Sequence, residues 1–146
     1  MVKEWDESQL VADGFEHVLV ELEWFDGPHS GLVNVGRRPH YFQRRGWDAD
    51  VEECFVWLAD EHLVAFELEA WMIFVEWNQR YEAGTAGIDS HPAHKGINAR
   101  YDDLTSLVAP HRQVPSDAKL FVAEWRFDTG ERYRPDGVDY WVRWHT

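Results

Sequence analysis

The pattern that decides the fold lies in residues 17–44, which have the sequence HVLVELEWFDGPHSGLVNVGRRPHYFQR. Three runs rich in β-branched and aromatic residues, 17–25, 32–35 and 39–44, are separated by short segments that contain Gly or Pro. Runs of this kind are typical of strands, and short turns between them join antiparallel neighbours. Residues 17–44 therefore predict a three-stranded β-meander.

The rest of the chain predicts three further strands and two helices. The strands are expected at 53–58, 119–127 and 138–144, with the last two paired as a hairpin. Asp60 can cap a long helix that continues to Glu82, because no Gly or Pro interrupts this stretch. Apolar residues recur there every three or four positions, and those expected on the buried face are Leu63, Phe66, Ala70, Phe74, Trp77 and Tyr81. A shorter helix is expected at 98–108.

These elements predict an α+β fold, in which a twisted antiparallel sheet of about six strands packs on one long and one shorter helix. The chain has 146 residues, 45% of them hydrophobic. This length suits a single domain covering residues 1–146, with enough apolar surface to form a core.

Composition excludes several classes of protein. The longest uninterrupted apolar runs, 54–59 and 70–75, cover only six residues each, so we expect no membrane-spanning helix. Cys54 is the single cysteine, which excludes an internal disulfide. The first residues lack the apolar stretch of a signal peptide, and we expect a cytoplasmic protein.

Acidic residues outnumber basic residues, and they are unevenly distributed. The formal net charge is −13, from 27 Asp and Glu against 14 Lys and Arg. Residues 27–46 contain four arginines and no acid, between two strongly acidic segments. Nucleic acid is not an expected partner, because its phosphates would meet a repulsive field. A basic protein partner or a metal ion fits this charge better, and solubility alone is the competing interpretation.

The segments WFDGP (24–28) and GRRPHYF (36–42) carry a resemblance. They resemble small bacterial domains of uncharacterised activity, in which an aromatic-Asp-Gly-Pro turn precedes a Pro-His-aromatic strand. The resemblance covers residues 18–45. It implies a twisted β-meander and brings no catalytic residue and no cofactor.

The basic cluster provides the first candidate site. Arg37 and Arg38 lie at an expected turn, and His40 and Tyr41 follow in the next strand. Arginine beside aromatic residues can bind a phosphate or a carboxylate, so we predict a ligand site at these four residues. Ion pairing of Arg37, Arg38, Arg44 and Arg45 with the flanking acidic segments is the competing interpretation.

A second candidate site lies in the glycine-containing segment 83–96. Asp89, His91 and His94 are the residue types that bind divalent metals, although Pro92 keeps them off a regular helix. We predict a metal site at these three residues. Solvent-exposed histidines are the alternative.

Aromatic residues provide the third candidate site. The chain contains nine Trp, eight Phe and five Tyr, more than one helix face can bury. Tyr140, Trp141 and Trp144 lie on both faces of the last strand, and an exposed Trp141 would mark a partner-binding patch. The alternative is that they fill the core. Apolar residues also cover a wide arc of the long helix, so a homodimer contact through this helix is a further alternative.

Two functions follow from these observations. The first is a non-enzymatic acidic module that binds a basic protein, as an inhibitor, immunity-type factor or assembly factor. The alternative is a small-ligand or metal-dependent enzyme, with one site drawn from Arg37, Arg38, His40, Asp89, His91 and His94. No residue is identified as catalytic, and no cofactor is indicated.

Overall fold

The computed structural model of the chain describes residues 4–47 and 52–146. The helices in these two segments are α1 (Glu7–Ala12), α2 (Glu61–Glu82) and α3 (Ala99–Val108). The strands there are β1 (Glu4–Trp5), β2 (Glu16–Trp24), β3 (Pro28–Val35), β4 (Arg38–Arg44), β5 (Glu53–Leu58), β6 (Lys119–Asp128), β7 (Tyr133–Arg134), β8 (Gly137–Val138) and β9 (Tyr140–His145). None of these helices is both long and apolar enough to cross a membrane.

Six strands form a closed antiparallel barrel in the order β6-β5-β4-β3-β2-β9, with β9 paired back to β6. The closing strand shows this directly, because Val142 pairs with Glu16 of β2 and also with Trp125 of β6. The α+β class and the number of strands are as expected. Closure of the sheet into a barrel was not expected, because alternating side chains describe one strand at a time and say nothing about closure.

Aromatic side chains fill the interior of the barrel. The ring of Trp125 on β6 lies 5.6 Å from that of Phe42, 6.1 Å from Trp144 and 5.8 Å from Tyr140. A barrel of this size has room inside for side chains only, so large rings suit it. Two of the residues expected in a partner-binding patch, Tyr140 and Trp144, therefore belong to the core.

Helix α2 lies against the outer side of the barrel. Asp60 caps it by accepting a hydrogen bond from the His62 amide at 2.8 Å, as expected. Its buried residues are Glu67, Ala70, Trp71, Val75 and Trp77. The prediction of the buried face of this helix was partly wrong, since Tyr81 is 40% exposed. The helix packs against both the barrel and α3. Its buried side therefore includes Glu67 and Trp71.

The N-terminal helix α1 covers the outer face of β9. Leu10, Phe15 and Trp141 form a small buried cluster, with Trp5 packed against it. The expectation of two helices was therefore wrong, since the described residues form three. Trp141 is only 4% exposed, and its indole N–H donates to Asp128 at 2.8 Å.

Candidate functional site

A cavity of about 690 Å³ opens beside β4, β5 and the start of β6. Its apolar lining includes Trp57, Leu58 and Phe121. Its polar lining consists mainly of Arg38, His40, His111, Asp117 and Lys119. The volume lies within the range of about 300–1,000 Å³ that is usual for ligand sites.

The turn between β3 and β4 decides which arginine reaches this cavity. Gly36 and Arg37 have φ values of 57° and 68°, as a two-residue hairpin turn with both central residues in the left-handed region requires. Arg38 then begins β4 opposite Val35 and lines the cavity. Arg37 stays exposed at the tip of the turn and does not line it.

Ion pairing separates the arginines of the basic cluster. Arg44 pairs with Glu52 at 2.9 Å, and Arg45 pairs with Glu53 at 3.6 Å, as the competing interpretation expected. Within residues 4–47 and 52–146, Arg38 and Lys119 make no ion pair. Eight arginines do pair in the described part of the chain: Arg44, Arg45, Arg100, Arg112, Arg126, Arg132, Arg134 and Arg143.

Two hydrogen bonds fix the polar wall of the cavity. His40 Nδ1 lies 2.7 Å from the Arg38 carbonyl oxygen. A carbonyl only accepts, so Nδ1 carries the proton and Nε2 of the neutral ring is an acceptor. Trp57 Nε1 donates to the His111 carbonyl at 3.1 Å, which holds the turn Ala109–Arg112 against the barrel.

A second, smaller cavity of about 280 Å³ lies between β2, α2 and α3. Glu67 at its base is 1% exposed and accepts hydrogen bonds from the Tyr41 hydroxyl at 2.8 Å and from Arg112 Nε and Nη2 at 2.9 and 2.6 Å. Glu21 on the opposite side accepts from Arg132 Nη2 at 2.6 Å and from Tyr133 at 3.2 Å. Both carboxylates of this cavity are therefore paired with arginine.

Burial sets the protonation states around the smaller cavity. Burial, followed by the Glu67 carboxylate, raises the pKa of Tyr41 far above its usual value, so the hydroxyl remains a donor. Burial also raises the pKa of Tyr101 and Tyr133. Burial, followed by the charge of His94, lowers the pKa of His91. His91 is therefore neutral at neutral pH.

The predicted metal site at Asp89, His91 and His94 is not formed. The His91 ring lies 4.4 Å from the Trp77 ring, and its Nδ1 accepts a hydrogen bond from the Ala93 amide at 3.0 Å. The rings of His91 and His94 are 6.0 Å apart between centroids. Among the residues described, no three His, Cys, Asp or Glu side chains converge to hold a metal.

The structure also divides the single ligand site that the sequence suggested. His40 and Arg38 line the larger cavity, whereas His91 lines the smaller one. Tyr41 lines the larger cavity and donates a hydrogen bond to Glu67, which lines the smaller one. The one-site arrangement was wrong, because Pro92 and its neighbours lie against α2 and not against β4.

Sequence reasoning missed the residues that complete both cavities. Lys119 and His111 are far from Arg38 along the chain, and no local pattern joins them. Glu67 had a usable signal, since it is an acid four residues before the buried Trp71 on the same helix. Cys54 is buried, and burial raises the pKa of its thiol to about 12.

The patch predicted at Tyr140, Trp141 and Trp144 is not exposed. Tyr140 is 0% exposed inside the barrel, and Trp141 lies under α1 and Phe15. Trp144 is half-buried against Phe42 and Phe121. The expectation failed because β9 is covered on both faces, whereas a sheet covered on one face would have left one set exposed.

Comparisons of the chain with models of protein families, with curated proteins and with solved structures found no match. The resemblance of residues 18–45 to small bacterial domains therefore stays a prediction.

Proposed function

We propose that this chain binds a small organic anion in the cavity lined by Arg38, His40, Trp57 and Lys119. The observation that supports this proposal most is that two cations at the cavity make no ion pair with the described residues. In a chain with 27 acidic residues, two cations at one cavity have no carboxylate partner among the described residues. An anionic group placed between them would supply the missing counter-charge.

The other lining residues favour an anion with an apolar body. Trp57 and Phe121 offer ring faces, and Leu58 and Leu63 extend the apolar wall. His40 and His111 add groups that can donate to an oxygen when protonated. Asp117 is the acid on this lining and disfavours a large polyanion, as does the net charge of −13.

An acidic module for a basic protein is now the alternative. Its support is the net charge, because the three aromatic residues expected at its docking patch are covered in this chain. The proposed cavity does not depend on that charge. The two hypotheses therefore need different tests.

The test measures binding of phenyl phosphate by isothermal titration calorimetry, with benzyl alcohol as the uncharged comparison and inorganic phosphate as the comparison without a ring. We expect phenyl phosphate to bind more tightly than either. Arg38→Gln and Lys119→Gln should each weaken it about fivefold, since a partly exposed ion pair contributes about 1 kcal/mol.

Arg37→Gln is the matched control, because Arg37 is the neighbouring arginine and lies outside the cavity. It should leave the affinity for phenyl phosphate unchanged. Equal weakening by Arg37→Gln and Arg38→Gln would contradict a defined site. Equal binding of benzyl alcohol and phenyl phosphate would contradict anion recognition.

A further inference from the structure

We infer a second binding site, in the cavity between β2, α2 and α3, for a small uncharged molecule that carries a hydrogen-bond acceptor on a flat apolar body. The site is separate from the proposed anion site. Its lining includes Glu67, Trp71, Phe74, Tyr101 and Arg112, none of which lines the larger cavity.

Each charged side chain on this lining is held in an ion pair, although the partner of Glu21 lies outside the lining. Glu67 holds Arg112 through two hydrogen bonds, and Glu21 holds Arg132 at 2.6 Å. An anion entering the cavity would meet both carboxylates, and a cation would meet Arg112. Charged ligands also lose their hydration on entry, so the balanced pairs favour an uncharged occupant.

The polar groups left uncommitted on the lining are donors. In the described part of the chain, neither Arg112 Nη1 nor the Tyr101 hydroxyl makes a hydrogen bond, although both belong to residues that line the cavity. His91 is the third donor. Its Nδ1 accepts the Ala93 amide, so the proton of the neutral ring is on Nε2. Three donors call for an acceptor such as a carbonyl oxygen.

The apolar walls suit a single flat ring. The rings of Trp71 and Phe74 lie 5.4 Å apart, and Tyr133 approaches Phe74 edge-on at 5.0 Å. Val20, Leu22 and Ala70 complete the apolar lining. The volume of about 280 Å³ is at the lower end of known ligand sites, which limits the occupant to one ring with a short substituent.

The experiment uses benzamide, an uncharged aromatic amide, with benzoate and benzylamine as probes of similar size and opposite charge. Binding is followed through the indole N–H resonance of Trp71, assigned with Trp71→Phe, in two-dimensional NMR spectra of the full chain. We expect benzamide to bind with a Kd of about 1 mM, typical of a ligand this small. Benzoate and benzylamine should bind at least about fivefold more weakly at this site.

Tyr101→Phe removes one donor and leaves the ring, and it should weaken benzamide about fivefold. Its fold should persist, because the hydroxyl makes no hydrogen bond within the described residues. Tyr81→Phe is the matched control on the exposed part of α2, and it should leave benzamide binding unchanged. Ala70→Val, which narrows the cavity, is the second variant and should also weaken benzamide.

Several results would overturn the inference. One is the absence of any Trp71 response to benzamide, and another is a preference for benzoate over benzamide at Trp71. Unchanged affinity in both Tyr101→Phe and Ala70→Val would also overturn it. Arg38→Gln separates the two sites, because it should weaken phenyl phosphate and leave benzamide unaffected. Loss of benzamide binding in Arg38→Gln would show that no separate site exists.

Discussion

The two cavities of this chain are linked by the hydrogen bond from Tyr41, on the larger, to Glu67, on the smaller, yet their charged side chains are paired differently. In the cavity beside α2, Glu67 and Glu21 each hold an arginine. At the starts of β4 and β6, Arg38 and Lys119 line the larger cavity without a carboxylate partner among the described residues. In an acid-rich chain, the absence of pairing marks a candidate anion site better than the number of arginines does.

Desolvation explains the difference. Burying a carboxylate is costly unless hydrogen bonds and an opposite charge offset the loss of water. Glu67 meets this condition, with three hydrogen bonds from Tyr41 and Arg112. Arg38 and Lys119 are exposed, so water solvates them and little free energy is lost when they remain unpaired.

The strongest test of this comparison removes one charge from each cavity. Glu67→Ala leaves Arg112 without its counter-charge and should lower the free energy of unfolding by about 3–5 kcal/mol. Arg38→Ala should change it by less than about 0.5 kcal/mol, since an exposed, unpaired side chain contributes little. Urea denaturation followed by circular dichroism measures both. Equal losses in the two variants would contradict the contrast between paired and unpaired charge.

Salt should separate ligand binding at the two cavities. Raising the ionic strength from about 0.01 M to about 1 M shortens the screening length from about 30 Å to about 3 Å. Phenyl phosphate should then bind about five- to tenfold more weakly, and benzamide should change by less than about twofold. Titration calorimetry at both salt concentrations gives the two ratios. An equal weakening of phenyl phosphate and benzamide by salt would contradict the difference in charge between the two cavities.

The smallest expected effect concerns His91 and pH. Burial places the pKa of His91 in the folded chain below the ordinary value of 6.5. Between these two values the unfolded chain binds more protons, so the free energy of unfolding falls as pH drops below about 6.5. Above that pH His91 is neutral in both the folded and the unfolded chain, so it no longer makes the free energy of unfolding depend on pH. Denaturation curves of His91→Gln should show a shallower decline on acidification than the unaltered chain.

His62→Gln is the control for this measurement, because His62 is exposed at the start of α2. It should leave the slope unchanged. Burial also lowers the pKa of His29, so a residual slope is expected in His91→Gln. A slope identical to that of the unaltered chain would contradict the lowered pKa of His91.

The sequence predicted local elements well because local rules decide them. Alternation in 119–127 predicts that Phe121, Trp125 and Phe127 share one face, and Trp125 indeed packs inside the barrel. Barrel closure depends on β9 pairing with β2, across more than a hundred residues, and no local pattern contains that information. Which side of α2 is buried likewise depends on α3, because α3 packs against it.

The candidate site was predictable only in part, for the same reason. Arg38, His40 and Tyr41 follow one another on or near one strand, so a short motif could identify them. Lys119 joins them because β6 pairs with β5, where Val56 lies opposite Lys119. The sequence predicted a metal-binding role for His91. Its packing against Trp77 depends on the tertiary fold, so no local pattern could show it.

Closure of the barrel has a consequence for any macromolecular partner. The six barrel strands are paired on both sides over part of their length, so the amide and carbonyl groups of those segments are committed within the chain. A peptide cannot extend the sheet along those segments by adding a strand, the route many peptide-binding domains use. Recognition of another protein at those segments therefore has to use side chains.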